Sequence, residues 1–176
     1  MKRKFLLMLL LLSISIGNSF AQQLKTHKGE IYGGEETYTY YTDTETTDEV
    51  RQGSYNFIKS DKNSEGATSV QTIKGQYVKG YKNGVWLYSF KNVDVENGSN
   101  NYVTGTITMT MTYKDGMPNG AWKYSSTGKR RSRRYSFGGW SWGAYVTTDP
   151  THISATFKDG IMIGDVSYST PWVAAS

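Results

Sequence analysis

From Val103 to Tyr113 the chain alternates without interruption. Val103, Gly105, Ile107, Met109, Met111 and Tyr113 are separated by Thr104, Thr106, Thr108, Thr110 and Thr112. Side chains of a strand point to opposite faces in turn, so this period of two predicts one buried face and one wet face. After residue 21 no long stretch carries apolar residues at the i, i+3, i+4, i+7 spacing of an amphipathic helix. The composition agrees: 14 Tyr, 5 Trp and 6 Phe with many Thr, Ser and Gly suit pleated, half-buried strands. The expected fold class is all-β.

One apolar run breaks the alternation. Lys2, Arg3 and Lys4 precede an uncharged segment from Phe5 to Ile16, and Ser19-Phe20-Ala21 supplies small residues around a cleavage point after Ala21. That is the pattern of a secretory signal peptide spanning residues 1–21. A run of about 12 apolar residues falls short of the roughly 20 that a membrane-spanning helix needs. The expectation is an exported chain, periplasmic or extracellular, with residues 22–176 forming a single domain and no transmembrane segment after cleavage.

Export changes the charge argument. The full chain carries 20 Lys+Arg against 15 Asp+Glu, a formal +5, and loss of Lys2, Arg3 and Lys4 leaves +2. Residues 22–100 hold 9 basic and 11 acidic groups, whereas residues 101–176 hold 8 and 4. That asymmetry points to a surface partner for the basic half, not to a fold. With no cysteine, an exported domain has no disulfide framework and must be held by its core.

The core follows from an internal repeat. "YVKGYKNGVWLY" (77–88), "YKDGMPNGAWKY" (113–124) and "FKDGIMIGDVSY" (157–168) share one frame, aromatic-x-x-Gly-x-x-x-Gly-x-[Trp/Val]-x-Tyr. A partial fourth copy, "GSYNF" (53–57), matches the second half, with Glu49 where the first glycine would stand. The "KDG" of two copies is a hairpin signal, because Asp-Gly tolerates the positive φ of a type I′ turn. The second glycines (Gly84, Gly120, Gly164) mark close packing or a bulge in the outgoing strand. Trp86 and Tyr88, Trp122 and Tyr124, and Val166 and Tyr168 are two apart and share a face. Gly80, Gly116 and Gly160 are expected in turns, and Trp86, Trp122, Tyr88, Tyr124 and Tyr168 in a row of sheet core. Successive second glycines, from Gly53 onward, lie 31, 36 and 44 residues apart, so insertions in loops between copies are expected.

The segment "GQYVKGYKNG" (75–84) resembles a MORN repeat, with Gly75, Tyr77, Gly80 and Gly84 in its pattern, and the following Trp86-x-Tyr88 is similar to a variant found in exported bacterial and antitoxin-like proteins. Met111 and Ala155 replace the leading glycine in the later copies. The resemblance implies successive antiparallel β-hairpins in an elongated, twisted sheet. It also implies a mostly non-enzymatic module for protein contact, in some cases for phospholipid, or an antitoxin or immunity-like role.

Few residues point to chemistry. Lys129, Arg130, Arg131, Arg133 and Arg134 precede Trp140 and Trp142. They form a candidate cationic and aromatic patch for an anionic polysaccharide or lipid surface; export argues against nucleic acid. The alternative is an edge strand whose arginines face water and discourage unwanted pairing, with Trp140 and Trp142 an inward pair. Glu35, Glu36, Asp43, Glu45, Asp48 and Glu49 crowd the N-terminal region and read as solvated loops or strand faces. Nothing in the sequence sets the separation that a carboxylate pair needs to cleave a glycoside. His27 and His152, the latter after the turn-like "TTDPT", give no zinc pattern. No calcium-loop, phosphate-loop or nucleophile-elbow motif occurs. "NVDVENGSNN" (92–101) reads as a long loop. The function these features favour is a non-catalytic repeat scaffold for another protein, without metal or cofactor. The alternative is a binding module for envelope polysaccharide or anionic lipid through residues 129–142.

Overall fold

The computed structural model describes residues 23–62, 68–93, 101–144 and 146–169. The proposed signal peptide lies outside them, as does most of the segment read as a loop at 92–101. The described chain is all-β. Its strands are β1 (Lys25–Ile31), β2 (Gly34–Thr42), β3 (Glu49–Lys62), β4 (Thr68–Val78), β5 (Tyr81–Val93), β6 (Asn101–Lys114), β7 (Met117–Ser136), β8 (Gly139–Trp142), β9 (Val146–Lys158) and β10 (Ile161–Ser169). Nine of them lie side by side in the order β1-β2-β3-β4-β5-β6-β7-β9-β10, and β8 pairs with β7 off this path. Every pairing is antiparallel, so the chain is a run of successive hairpins in one open, twisted sheet.

The repeat is a structural unit. Its copies are the hairpins β2–β3, β4–β5, β6–β7 and β9–β10, whose turns all lie at one end of the sheet because strand direction alternates. Three of these turns pair a left-handed residue with glycine: Lys79-Gly80, Asp115-Gly116 and Asp159-Gly160 have φ near +50° and +84°. The β2–β3 copy closes instead through a loop over 43–48. There Asp43 Oδ1 accepts from the backbone N–H groups of Glu45 and Thr46, and Thr47 takes positive φ. The partial copy at 53–57 is therefore the outgoing strand of a full hairpin that closes by a different turn.

The second glycine marks a bulge. On the outgoing strand, Leu87 to Asn83 faces only Lys74 to Gln76 of the incoming strand, and Gly84, at φ +69°, lies inside that excess. The same mismatch recurs around Gly53, Gly120 and Gly164, each with positive φ. The next copy uses the bulge: its leading aromatic sits directly opposite, Tyr77 on Gly53, Tyr113 on Gly84 and Phe157 on Gly120. Each turn glycine also donates its N–H to the copy before, Gly80 to Arg51 O, Gly116 to Lys82 O and Gly160 to Pro118 O, at 2.8–2.9 Å. Aromatic-on-glycine pairing and this cross-copy hydrogen bond set the register between hairpins.

The lengthening intervals end at the opposite edge of the hairpins and are taken up largely by strand, not loop. β7 runs to 20 residues. Its Lys129–Ser132 portion still pairs with β6, and Arg133–Ser136 folds back on β8. "TTDPT" is likewise strand, within β9, rather than a turn. Pro150 lies where the β7–β9 register shifts between Ser126 and Gly128, and a bulge tolerates the missing N–H.

Register places Tyr38, Tyr55, Phe57, Ile73, Tyr77, Trp86, Tyr88, Met109, Met111, Tyr113, Trp122 and Tyr124 on one face. Thr37, Asn56, Thr72, Thr108, Thr110 and Ser125 lie on the other. No second layer covers the aromatic face among the described residues. Its rings cover one another sideways instead. Trp86, 1% exposed, stacks on Tyr55 at 5.4 Å, takes the edge of Tyr77 at 5.1 Å and that of Tyr113 at 6.3 Å, and donates its indole N–H to Gln76 O. Burying a large apolar side chain is worth about 1.5–3 kcal/mol, so this cluster anchors the sheet.

Burial fades toward β10. Trp122, Tyr88 and Tyr124 are half-buried. Tyr168, expected in the core, is 65% exposed because no further hairpin packs beyond it among the described residues.

Candidate functional site

Two cations cap the rings of the aromatic face. The Arg51 guanidinium lies 4.4 Å above the Tyr38 ring and 5.3 Å from that of Tyr77, whose hydroxyl accepts a bond from Nη1 at 3.3 Å. Lys82 Nζ lies 4.4 Å above Trp86 and 5.2 Å from Tyr113, and donates to Tyr88 OH at 3.1 Å. Both occupy the same repeat position, two residues before the bulge glycine, and theirs are the carbonyls that the next turn glycines bond. Pro118 and Met162 hold that position in the later copies. The [Arg/Lys]-x-Gly-x-aromatic spacing was present in the sequence, but only the register shows that it sets Arg51 over rings from three strands and Lys82 over rings from two.

At the β1 end the cluster is polar. Glu36 is buried, and its Oε2 accepts a bond from Tyr55 OH at 3.3 Å. His27 Nε2 is 3.8 Å from Oε1, and its ring stacks on Tyr38 at 4.5 Å. Burial, and the Glu36 carboxylate beside it, push the Tyr55 hydroxyl up to about 12. Burial likewise raises Tyr113, with its bond to Tyr88 adding to the shift. Glu36 thus departs from the solvated strand face expected of the acidic residues, since its strand position points inward. Glu35, its neighbour, faces the other side and pairs with Lys28 at 3.2 Å. Asp43 is fixed by its turn, and its backbone hydrogen bonds hold its carboxyl below the ordinary range. Among the described residues no three His, Asp or Glu side chains gather as a metal site, and no helix is long and apolar enough to cross a membrane.

Beyond Trp86 the face opens into a shallow apolar hollow of about 400 Å³. Ile73, Tyr88, Phe90, Ile107, Met109 and Tyr124 form its wall, from four adjacent strands. Phe90 and Ile107 are direct cross-strand partners, as are Tyr88 and Met109. The hollow is pre-formed by backbone register and needs no loop to close it.

The basic segment is elsewhere, at the end of the sheet opposite the glycine turns. The backbone carries Lys129 to Arg134 along β7, turns at Phe137-Gly138 and returns through Trp140 and Trp142 on β8. The side chains of Arg130, Arg131, Arg133, Arg134 and Trp142 lie outside the description. Trp140 is 52% exposed and meets Tyr135 edge to face at 5.4 Å, so it is no inward core residue. Phe137 at the turn is fully exposed. The hollow and the basic hairpin are therefore separate candidate surfaces. No family model, curated protein or solved structure matches the chain.

Proposed function

We propose that this protein is an exported, non-catalytic, MORN-like repeat scaffold that binds another protein through the aromatic face of its sheet. The observation that carries the reading is that this face, apolar across at least four strands at the hollow around Ile107, has no second layer over it among the described residues. Sheets ordinarily bury their apolar face against another element, and large exposed apolar surfaces mark interaction sites. The opposite face, rich in Thr and Ser, supplies the internal control. Capture from an envelope fraction on the immobilised protein tests the reading: Ile107→Lys on the aromatic face abolishes recovery of a partner, whereas Thr108→Lys, one residue away on the other face, retains it. Equal capture by both variants rejects this face as the binding surface.

A second reading rests on the exposed rings of the β7–β8 hairpin. Tyr135, Phe137 and Trp140 project beside a backbone run bearing Lys129, Arg130, Arg131, Arg133 and Arg134. Rings with adjacent cations suit an anionic polysaccharide or lipid surface. Replacing the four arginines by alanine then weakens binding to such a surface and removes its salt dependence. Binding that is unchanged and insensitive to salt excludes the hairpin.

A further inference from the structure

Among the described residues, the β9–β10 hairpin ends in an edge that the repeat itself has prepared for a partner. In the three preceding copies the outgoing strand receives the next copy on its free side, and an aromatic lands opposite the bulge glycine: Tyr77 on Gly53, Tyr113 on Gly84, Phe157 on Gly120. β10 repeats the same outgoing strand. Gly164 has φ +72° and the same register excess, with Val166 in the Trp86 position and Tyr168 in that of Tyr88. Among the described residues nothing pairs with the outer side of β10, and all nine of its residues are exposed.

The two edges of the sheet differ. β1 carries Lys25, Lys28 and Glu30, with Lys28 tied to Glu35, and charges on an edge strand discourage strand addition. β10 has one charge, Asp165, among Ile161, Met162, Ile163, Val166 and Tyr168. Among the described residues it lacks the protection an exposed edge normally has.

We propose that β10 pairs antiparallel with β10 of a second copy of this chain, about a two-fold axis at Val166, joining two sheets into one. The register follows from the repeat's own rule. With Val166 facing the partner's Val166, Tyr168 falls opposite the partner's Gly164, and Gly164 opposite the partner's Tyr168. Both recreate the aromatic-on-glycine pairing found between copies. Asp165 then faces the hydroxyl of the partner's Ser167, and no like charges stand directly opposite, which would cost stability. β1 offers no Tyr, Phe or Trp to lie on Gly164, so head-to-tail growth through β10 and β1 lacks that pairing. A self-complementary edge closes as a dimer, where a head-to-tail contact would continue into a filament. This surface is an edge, distinct from the face proposed to bind another protein, and either stands if the other fails.

Sedimentation velocity on the purified chain tests it. The wild type sediments as a dimer at micromolar concentration. Val166→Lys, which sets two ammonium groups across the axis, raises the dissociation constant at least tenfold while the β-sheet circular dichroism persists. Because the chain has no native cysteine, Val166→Cys oxidised with diamide gives a covalent dimer, and Lys28→Cys on β1 does not. The cross-linking decides the matter if Val166→Lys fails to fold. A wild type that is monomeric over the whole range, a dimer indifferent to Val166→Lys, or equal cross-linking from both cysteines overturns the proposal.

Discussion

The indole of Trp86 lies flat against the backbone of Gly75, so that a β-carbon on Gly75 would stand 2.3 Å from ring atoms Cδ2 and Cε2. The ring has no room to retreat, because Tyr55 stacks on it and Tyr77 meets it edge-on. Where the leading glycine is replaced, by Met111 or Ala155, the neighbouring Trp122 is only half-buried. The copy that keeps its glycine is the copy that buries its tryptophan fully.

Gly75→Ala is therefore an overpacking substitution at the anchor of the sheet. Such insertions typically cost about 1–3 kcal/mol, and the tight contact places this one at the upper end. Urea unfolding followed by tryptophan fluorescence checks it, with Gly105→Ala as reference. A β-carbon at Gly105 meets nothing closer than a backbone oxygen at 3.9 Å. Equal midpoints for the two variants would refute the packing account of Gly75.

The two capping cations contribute through the rings beneath them. Removing the charge while keeping the stem, in Arg51→Met or Lys82→Met, is expected to cost about 0.5–2 kcal/mol in each case. The same change at Lys123, exposed on the other face, lies within about 0.5 kcal/mol of zero. Denaturant midpoints of the three variants separate a cation–ring role from a general effect of losing a surface charge.

Much of this fold was legible because the informative signals are local. Asp115-Gly116 and Asp159-Gly160 announce their turns, and the alternation through 103–113 announces β6. The repeat frame located three bulge glycines and, through Gly53, the fourth. The β1–β2 hairpin was not legible, since its turn is Tyr32-Gly33 and tyrosine is a poor predictor of the left-handed conformation it takes there, φ 52°. Nor were the caps, because Arg51 meets Tyr38 and Tyr77 only across strand pairings. The Glu36–Tyr55 bond depends in the same way on register between β2 and β3. The general expectation of loops between copies failed where β7 lengthens and β8 is added, since a neighbouring edge offers hydrogen bonds there, while the arginine run is strand, as one of its two readings had it.

Lys79 holds a left-handed conformation, φ 50°, that its side chain does nothing to favour. Outside glycine and the short Asn and Asp, this region costs roughly 1–2 kcal/mol. Its equivalents in the later copies are Asp115 and Asp159. The N–H of Lys79 donates to Gln52 Oε1 at 2.8 Å, a bond that any residue but proline would keep. Lys79→Asn is expected to stabilise the protein by about 0.5–1 kcal/mol, the usual gain from matching turn chemistry to backbone. Thermal unfolding that moves down instead of up would show that the lysine side chain has a role of its own.

The raised Tyr55 hydroxyl gives the fold a limit at high pH. In the unfolded chain a tyrosine loses its proton near 10, whereas Tyr55 in the folded sheet holds it to about 12, chiefly through burial and then through the Glu36 carboxylate. The folded state thus binds the proton more tightly. Its contribution is fully present below pH 10 and is lost as pH rises through about 12, because the unfolded state gains by ionising first. Tyr113, also raised by burial, acts in the same direction. Urea midpoints should fall across this window, with little change from Tyr55 between pH 7 and 9. Tyr55→Phe should flatten the decline, at the cost of the bond to Glu36. A wild-type midpoint that holds steady to pH 12 would mean that Tyr55 ionises no later in the sheet than in the unfolded chain.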